Sequence, residues 1–336
     1  MKSPLRVGLW LLASLSVSIL FAQPASDSTD LLAEVLRMQA EMPTPGTDFR
    51  AGHATLRRGD SLTHTTAQGY RVHLPHQGLV PTPTVAGELL YVSGGFGSKQ
   101  FFALDAYDGQ LRWAVDLDDD GPSTAVVADG MVVFNTESCT IFALDAQTGE
   151  QKWAWWLGDP LMSTPTIANG LVVTAYPAGG RGGGFFPQQN GLDYPNQIQQ
   201  QLPANIAPAS APEGGYDGPL RPTHILIALD LQTGAVRWQR WIDGDVMSAP
   251  IAADQELHVS TFAGTYYKID QQSGEILAAR AQRATSAPVV VGDEVYMSQR
   301  ADLDGEVREA VAVVHRANLA MKGRGHTRQA AYLDYE

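Results

Sequence analysis

The chain has 336 residues, 44% of them hydrophobic, which is enough to bury a substantial core and too apolar for a disordered polymer. Acidic residues number 36 against 23 basic, for a formal net charge of −13. That balance, with no long basic run, excludes nucleic acid as a natural partner, because binding a polyanion draws on clustered cations.

At the N-terminus, Lys2 and Arg6 precede an apolar run over residues 7–22. The run is shorter than the ~20 residues that span a bilayer, so residues 1–22 are expected to be a secretory signal peptide. Cleavage after Ala22 leaves no integral membrane span, although Leu20 departs from the small residue preferred near such a cut; an uncleaved anchor is the alternative reading. Export implies a periplasmic or extracellular protein. No lipobox cysteine follows the run, and the single cysteine, Cys139, forms no internal disulfide and reads as a small buried strand residue.

Residues 23–65 read as an N-terminal linker with one short amphipathic helix. Leu31, Leu32, Val35 and Leu36 share a side of it, and Asp27 or Ser28 is placed to cap it. Residues 69–74 then read as a fourth strand that completes the last of the units described next by ring closure.

From here the chain repeats itself. Residues 102–113 read FALDAYDGQLRW, residues 142–153 FALDAQTGEQKW, residues 227–238 IALDLQTGAVRW, and residues 267–278 the worn copy YKIDQQSGEILA. Asp105, Asp145, Asp230 and Asp270 mark a period of about 40 residues, lengthened once by an insert of about 45, which is the range of a propeller blade. Each unit reads as four short strands. The first two are joined by a hairpin such as Asn169-Gly170, whose residues tolerate the positive φ of a type I′ turn. The repeated phrase supplies the third strand, a turn and the fourth strand. In that turn Gly109, Gly149, Gly234 and Gly274 mark a site of positive φ, and the aspartates read as turn formers that accept amide hydrogen bonds. Trp113, Trp153 and Trp238 each bring a large apolar surface to the next sheet. Ala278 lacks that surface, so the joint there is expected to be weak and Ala278→Trp to strengthen it.

The pattern Ala103-x-Asp105-x3-Gly109-x3-Trp113, repeated at Ala143, Asp145, Gly149 and Trp153 and at Ala228, Asp230, Gly234 and Trp238, resembles the tryptophan-docking motif of PQQ-type β-propellers. The resemblance implies an all-β fold, a β-propeller of four-stranded PQQ-like blades over residues 66–316, with blade-docking roles for those alanines, glycines and tryptophans. About five blades are visible where the family closes with seven or eight. An unusually small ring is one reading; an incomplete ring is preferred. Residues 177–222, rich in Gly, Pro, Gln and Asn, read as a disordered insert whose Phe185, Phe186 and Tyr194 could meet a partner. Residues 317–336 read as a basic C-terminal tail or the start of a further segment.

Few residues carry chemistry. The run from Asp116 to Gly121 imitates half a calcium loop, but Val127 stands where a bidentate Glu is required. His73 and His76 have no third ligand within reach, and no nucleophile elbow is present. No catalytic, cofactor-binding or metal residues are therefore assigned, and no cofactor is expected. The connections between units carry Asp118, Asp119 and Asp120, then Asp159, then Asp243 and Asp245. Equivalent loops gather on one face of a propeller, so these acids are expected to form a partner-binding rim with Trp155, Trp156 and Trp241 beneath it; a merely solubilising face is the competing reading. The function expected is a non-catalytic exported scaffold that binds other envelope or secreted proteins, similar to the BamB type of outer-membrane assembly protein. The alternative is a PQQ/Ca-dependent quinoprotein dehydrogenase. Alcohol-oxidising members of that class use a vicinal cysteine pair, which Cys139 alone cannot supply.

Overall fold

The computed structural model describes residues 30–57, 62–76, 78–138, 140–157, 163–178, 220–303 and 306–326. The expected signal peptide, most of the insert, Cys139 and Asp159 lie outside the described residues.

Among the described residues one helix, α1 (Leu32–Glu41), precedes twenty-four strands. Two short strands, β1 (Arg50–Ala51) and β2 (Ala54–Arg57), lead to a hairpin of β3 (Thr63–Thr66) and β4 (Gly69–Val72). Five sheets follow in chain order. The first blade holds β5 (Thr84–Ala86), β6 (Leu89–Ser93), β7 (Gln100–Asp105) and β8 (Leu111–Leu117); the second β9 (Val126–Ala128), β10 (Met131–Asn135), β11 (Thr140–Asp145) and β12 (Gln151–Trp156). The third holds β13 (Thr166–Ala168), β14 (Leu171–Pro177), β15 (His224–Asp230) and β16 (Val236–Ile242); the fourth β17 (Ile251–Ala253), β18 (Glu256–Ser260), β19 (Thr265–Asp270) and β20 (Ile276–Ala281). The fifth holds β21 (Val289–Val291), β22 (Glu294–Leu303), β23 (Glu306–His315) and β24 (Met321–His326).

Within every blade the strands pair antiparallel in chain order, and the inner strands neighbour one another in the series β5, β9, β13, β17, β21. The result is an all-β arc of propeller blades. Middle strands such as β10 and β15 are buried on both faces because a sheet lies on either side. The fifth blade shows a different pattern: Val295 and Met297 are buried while Val289, Val291 and Val311 are exposed. This alternation marks a sheet packed on one side only.

Two expectations about the ends change. β24 completes the fifth blade, so residues 321–326, read from sequence as tail or further segment, form a blade strand. The strand at residues 69–74 does not close that blade; β4 pairs with β3 in a separate hairpin docked on the first blade. The true fourth strand of the fifth blade is hidden in the sequence because its copy of the repeat carries His315, Leu319 and Gly323 in place of Asp, Gly and Trp.

The linker is a belt. Leu31 N–H donates to Ala279 O on β20 at 2.9 Å, and Asp30 bridges Arg280. The Gln39 amide donates to Trp241 O at 2.8 Å and accepts its N–H at 2.9 Å, standing in for a strand beside β16. β1 then pairs with β12 and β2 with β8. Residues 30–57 thus cover the outer edges of blades four, three, two and one in that order. Helix α1 buries Val35 and Met38, whereas Leu36 is 48% exposed, so the apolar side runs through Met38 and not Leu36. Its first turn is held by the Asp30 carboxylate, which accepts the Leu32 N–H at 3.0 Å; the expected caps Asp27 and Ser28 lie outside the described residues.

Candidate functional site: the blade joints and the connection face

The joints follow from three residues in each phrase. Ala103, Ala143 and Ala228 lie fully buried opposite Trp113, Trp153 and Trp238 on the neighbouring strand, and their small side chains leave room for the indole. Each indole N–H crosses to the next blade: Trp113 donates to Ala146 O at 3.0 Å, Trp153 to Leu231 O at 2.9 Å and Trp238 to Gln271 O at 2.9 Å. The ring lies over the glycine of that blade's turn. A Cβ on Gly149 would sit 2.6 Å from Trp113, and one on Gly234 2.7 Å from Trp153, so glycine is required by close approach as well as by φ values of 74° and 69°. Gly109, in the first blade, receives Tyr70 from the hairpin instead, and the Tyr70 hydroxyl donates to Ala106 O at 2.9 Å. The hairpin therefore occupies the position of a preceding blade's outer half.

The turn aspartates fold their own turns. Asp105 accepts the Tyr107 and Asp108 amides at 2.8 and 3.1 Å and Arg112 at 2.6 Å, and the Arg112 hydrogen bond first, then those amides, hold its carboxyl below the usual range. In Asp230 the Thr233 hydroxyl has that leading effect, and in Asp270 the Ser273 amide.

The fourth joint has no indole. Lys268 lies opposite Ala278 and is buried; its ammonium donates to Arg316 O at 2.9 Å and Ala317 O at 3.1 Å, the carbonyls of the fifth blade's turn. Glu256 lies 3.4 Å from Lys268 and 2.6 Å from Arg316, which also reaches Asp254 at 2.7 Å. Burial alone would raise the Glu256 carboxyl, but the Arg316 hydrogen bond and the two cations hold it below its ordinary value. Beside them His258 is fully buried with Nδ1 2.6 Å from the Tyr266 hydroxyl, and burial pushes its imidazole down to about 4. The fifth turn keeps the backbone bond, Leu319 N–H to His315 O at 2.8 Å, with Leu319 at φ 56°. His315, Leu319 and Gly323 stand where the other copies have Asp, Gly and Trp, which is why the sequence pattern ends at four copies.

Of the connection acids expected to form an open rim, Asp119, Asp243 and Asp245 turn inward. Asp119 accepts the Thr136 and Thr140 hydroxyls at 2.6 and 2.8 Å. Asp243 is buried and accepts Thr261 at 2.9 Å, Thr265 at 2.5 Å and Tyr267 at 3.0 Å. Each thus clamps the loop joining the second and third strands of the next blade. Asp245 is also buried and accepts the Val246 amide at 2.7 Å. The sequence signal for these clamps is Thr-x3-Thr, present at 136–140 and 261–265. Asp118 is exposed and Asp120 half-buried, and Asp159 lies outside the described residues. Trp156 and Trp241 are buried under the belt, with Arg50 5.0 Å over Trp156 and the Trp241 indole N–H donating to Pro43 O at 2.8 Å. Half-buried Trp155 donates to Gly234 O at 2.9 Å and reinforces the second joint.

What this face does offer is aromatic. Phe96 and Phe262 sit in loops between second and third strands and are 68% and 62% exposed. Among the described residues no three His, Cys, Asp or Glu side chains come together as a metal site would need, and no helix is long and apolar enough to cross a membrane.

Four-stranded blades joined by indole or ammonium donors define a propeller protein of the PQQ type. The family model for outer membrane protein assembly factor BamB matches residues 53–189 and 222–327, and the chain belongs to that family. BamB from Moraxella catarrhalis is similar in structure, with a TM-score of 0.50 and 18% identity over 89% of this chain and 74% of that one. The quinohemoprotein alcohol dehydrogenase ADHIIG from Pseudomonas putida HK5 gives 0.44 and 16%, over 74% of this chain and 42% of its own. A europium-containing methanol dehydrogenase gives 0.45 and 12%, over 81% of this chain and 53% of its own. No curated protein matches by sequence.

Proposed function

We propose that the chain is a non-catalytic, exported protein-binding scaffold of the envelope, held together by tryptophan docking and acting in outer-membrane protein assembly. The observation that carries this reading is the division of labour on the connection face. Its half-buried Asp119 and buried Asp243 carboxylates are taken up by hydroxyl donors of the next blade, while Phe96 and Phe262 are presented to solvent on the same face. Exposed aromatics surrounded by polar loops are the composition of a protein-binding surface. Asp118 and Asp120 supply acid at its rim.

The same observation weighs against PQQ with Ca²⁺. A Ca²⁺ site needs six to eight oxygen ligands with free lone pairs, and these two carboxylates already accept two and three side-chain hydrogen bonds.

A photo-crosslinking residue placed at Phe96 or Phe262 in living cells tests the reading. The expected result is a discrete adduct with an outer-membrane assembly component, lost in Phe262→Asp when the crosslinker is at Phe96. Dye reduction by the purified protein with PQQ, Ca²⁺ and an alcohol or sugar would overturn it.

A further inference from the structure

Among the described residues the belt covers four of the five blades. Its four landing places all fall within the four residues that follow the docking position of each fourth strand: the belt meets Ala114 to Leu117 in the first blade and Trp155 and Trp156 in the second. It meets Trp241 in the third and Ala279 and Arg280 in the fourth. In the fifth blade, counting from Gly323, the same places are Arg324, Gly325 and His326 on β24. β24 is the last strand of its sheet, and among the described residues its backbone makes hydrogen bonds only to β23. A row of unpaired N–H and C=O groups is a template for another strand.

Edge strands are commonly guarded by a lysine held out into solvent. Here Lys322 does not stand guard, because its ammonium folds back across the sheet to Glu294 on β22. Gly323 and Gly325 add no bulk, and nothing lies within 4 Å of the place a Cβ would take on either. Charge sets the occupant. On the first blade the belt brings Arg57 to Asp116 of the edge strand at 3.2 Å, and on the second it lays Arg50 over Trp156. The fifth edge has the opposite sign: β24 carries no acid, the Lys322 charge is matched by Glu294, and among the described residues the Arg324 guanidinium donates only to the neutral Gln299 side-chain oxygen at 2.9 Å.

We propose that the outer edge of the fifth blade, at Arg324, Gly325 and His326, accepts an extended acidic peptide segment of a partner protein as an antiparallel fifth strand. Backbone hydrogen bonds hold such a strand, and charge selects it. The inference rests on the scaffold reading and gives it a second contact, separate from the Phe96 and Phe262 loops.

The test uses the whole exported chain and a fluorescein-labelled peptide of about eight residues that alternates Asp or Glu with Val or Thr, a length matched to one edge strand. Saturable binding by anisotropy is expected, weakened at least tenfold when alternate peptide nitrogens are methylated or when Lys replaces the acids. Hydrogen exchange should slow at residues 321–326 and nowhere on β8, β12, β16 or β20. Arg324→Glu should weaken binding several-fold with an unchanged melting temperature; the methylated peptide gives the same information without altering the protein. Equal binding of the methylated peptide, protection at another strand, absence of binding at millimolar peptide, or full protection of residues 321–326 before peptide is added would each overturn the proposal, the last by showing that the chain fills its own edge. If Phe96 and Phe262 crosslink as expected while the peptide is ignored, the scaffold reading stands and only the edge assignment fails.

Discussion

The joint between the second and third blades and the joint between the fourth and fifth solve one problem with different chemistry. In both, a donor from one sheet must reach a turn carbonyl of the next without leaving a buried polar group unmet. Trp153 does so with a neutral N–H on a large apolar plate, so the hydrogen bond and the burial come from one side chain. Lys268 reaches equivalent carbonyls with a charge, and the charge then needs Glu256, which needs Arg316. The apolar part of that joint falls to a small separate cluster of Tyr266, Val295, Met297, Val314 and Leu319. An indole joint is indifferent to pH. An ionic joint beside a buried histidine is not.

The largest effect is expected from removing an indole. Trp153→Ala deletes the plate and the cross-blade hydrogen bond together and should lower stability by about 4 kcal/mol, read from urea unfolding. A loss under ~1 kcal/mol would show that the blades hold without it.

Acid should separate the two kinds of joint. His258 titrates at about 4 in the fold against 6.5 ordinarily, so the unfolded chain binds the proton first as pH falls. Stability present above pH 6.5 is therefore lost on the way down to 4, by as much as about 3 kcal/mol. Glu256, held below its ordinary value of 4.5, adds a loss of the same sign that begins as pH falls through that ordinary value. His258→Gln should flatten the stability profile between pH 6.5 and 4. The slope left behind belongs in part to His224, which burial also lowers to about 4.

Ala278→Trp sharpens the comparison in the direction opposite to the sequence expectation. The turn it would cover carries Leu319 in place of glycine, Ala278 already packs against the cluster containing Leu319, and Lys268 already holds the carbonyls. The substitution should cost about 1–3 kcal/mol by overpacking. Adding Leu319→Gly should recover part of the loss by opening the seat that Gly234 offers Trp153. A gain from Ala278→Trp alone would restore the simpler view that the joint merely lacks a ring.

The smallest effect is expected at the rim of the ionic joint. Asp254 is mostly exposed, so Asp254→Asn should change stability by less than about 0.5 kcal/mol, and 1 M salt should erase even that. Asn also accepts the φ of 52° found there.

The sequence by itself determined the blade. Ala, Asp, Gly and Trp at fixed offsets specify a cross-strand fit, a turn and a plate, all within a dozen neighbouring residues, and those local requirements are written once per copy. The aspartates were legible as turn formers for the same reason. What no single copy contains is its surroundings, and there the tertiary structure decided. The fifth blade was hidden because His315, Leu319 and Gly323 fill the three signal positions while the backbone turn persists. Asp119 and Asp243 read as a rim because their threonine partners lie about twenty residues further on, in the next blade. Residues 30–57 read as a linker because the edges they cover are contributed by strands that are distant in sequence. A pattern repeats in sequence when each unit meets the same neighbour. The ends of the arc meet different ones, so their roles exist only once the chain has folded.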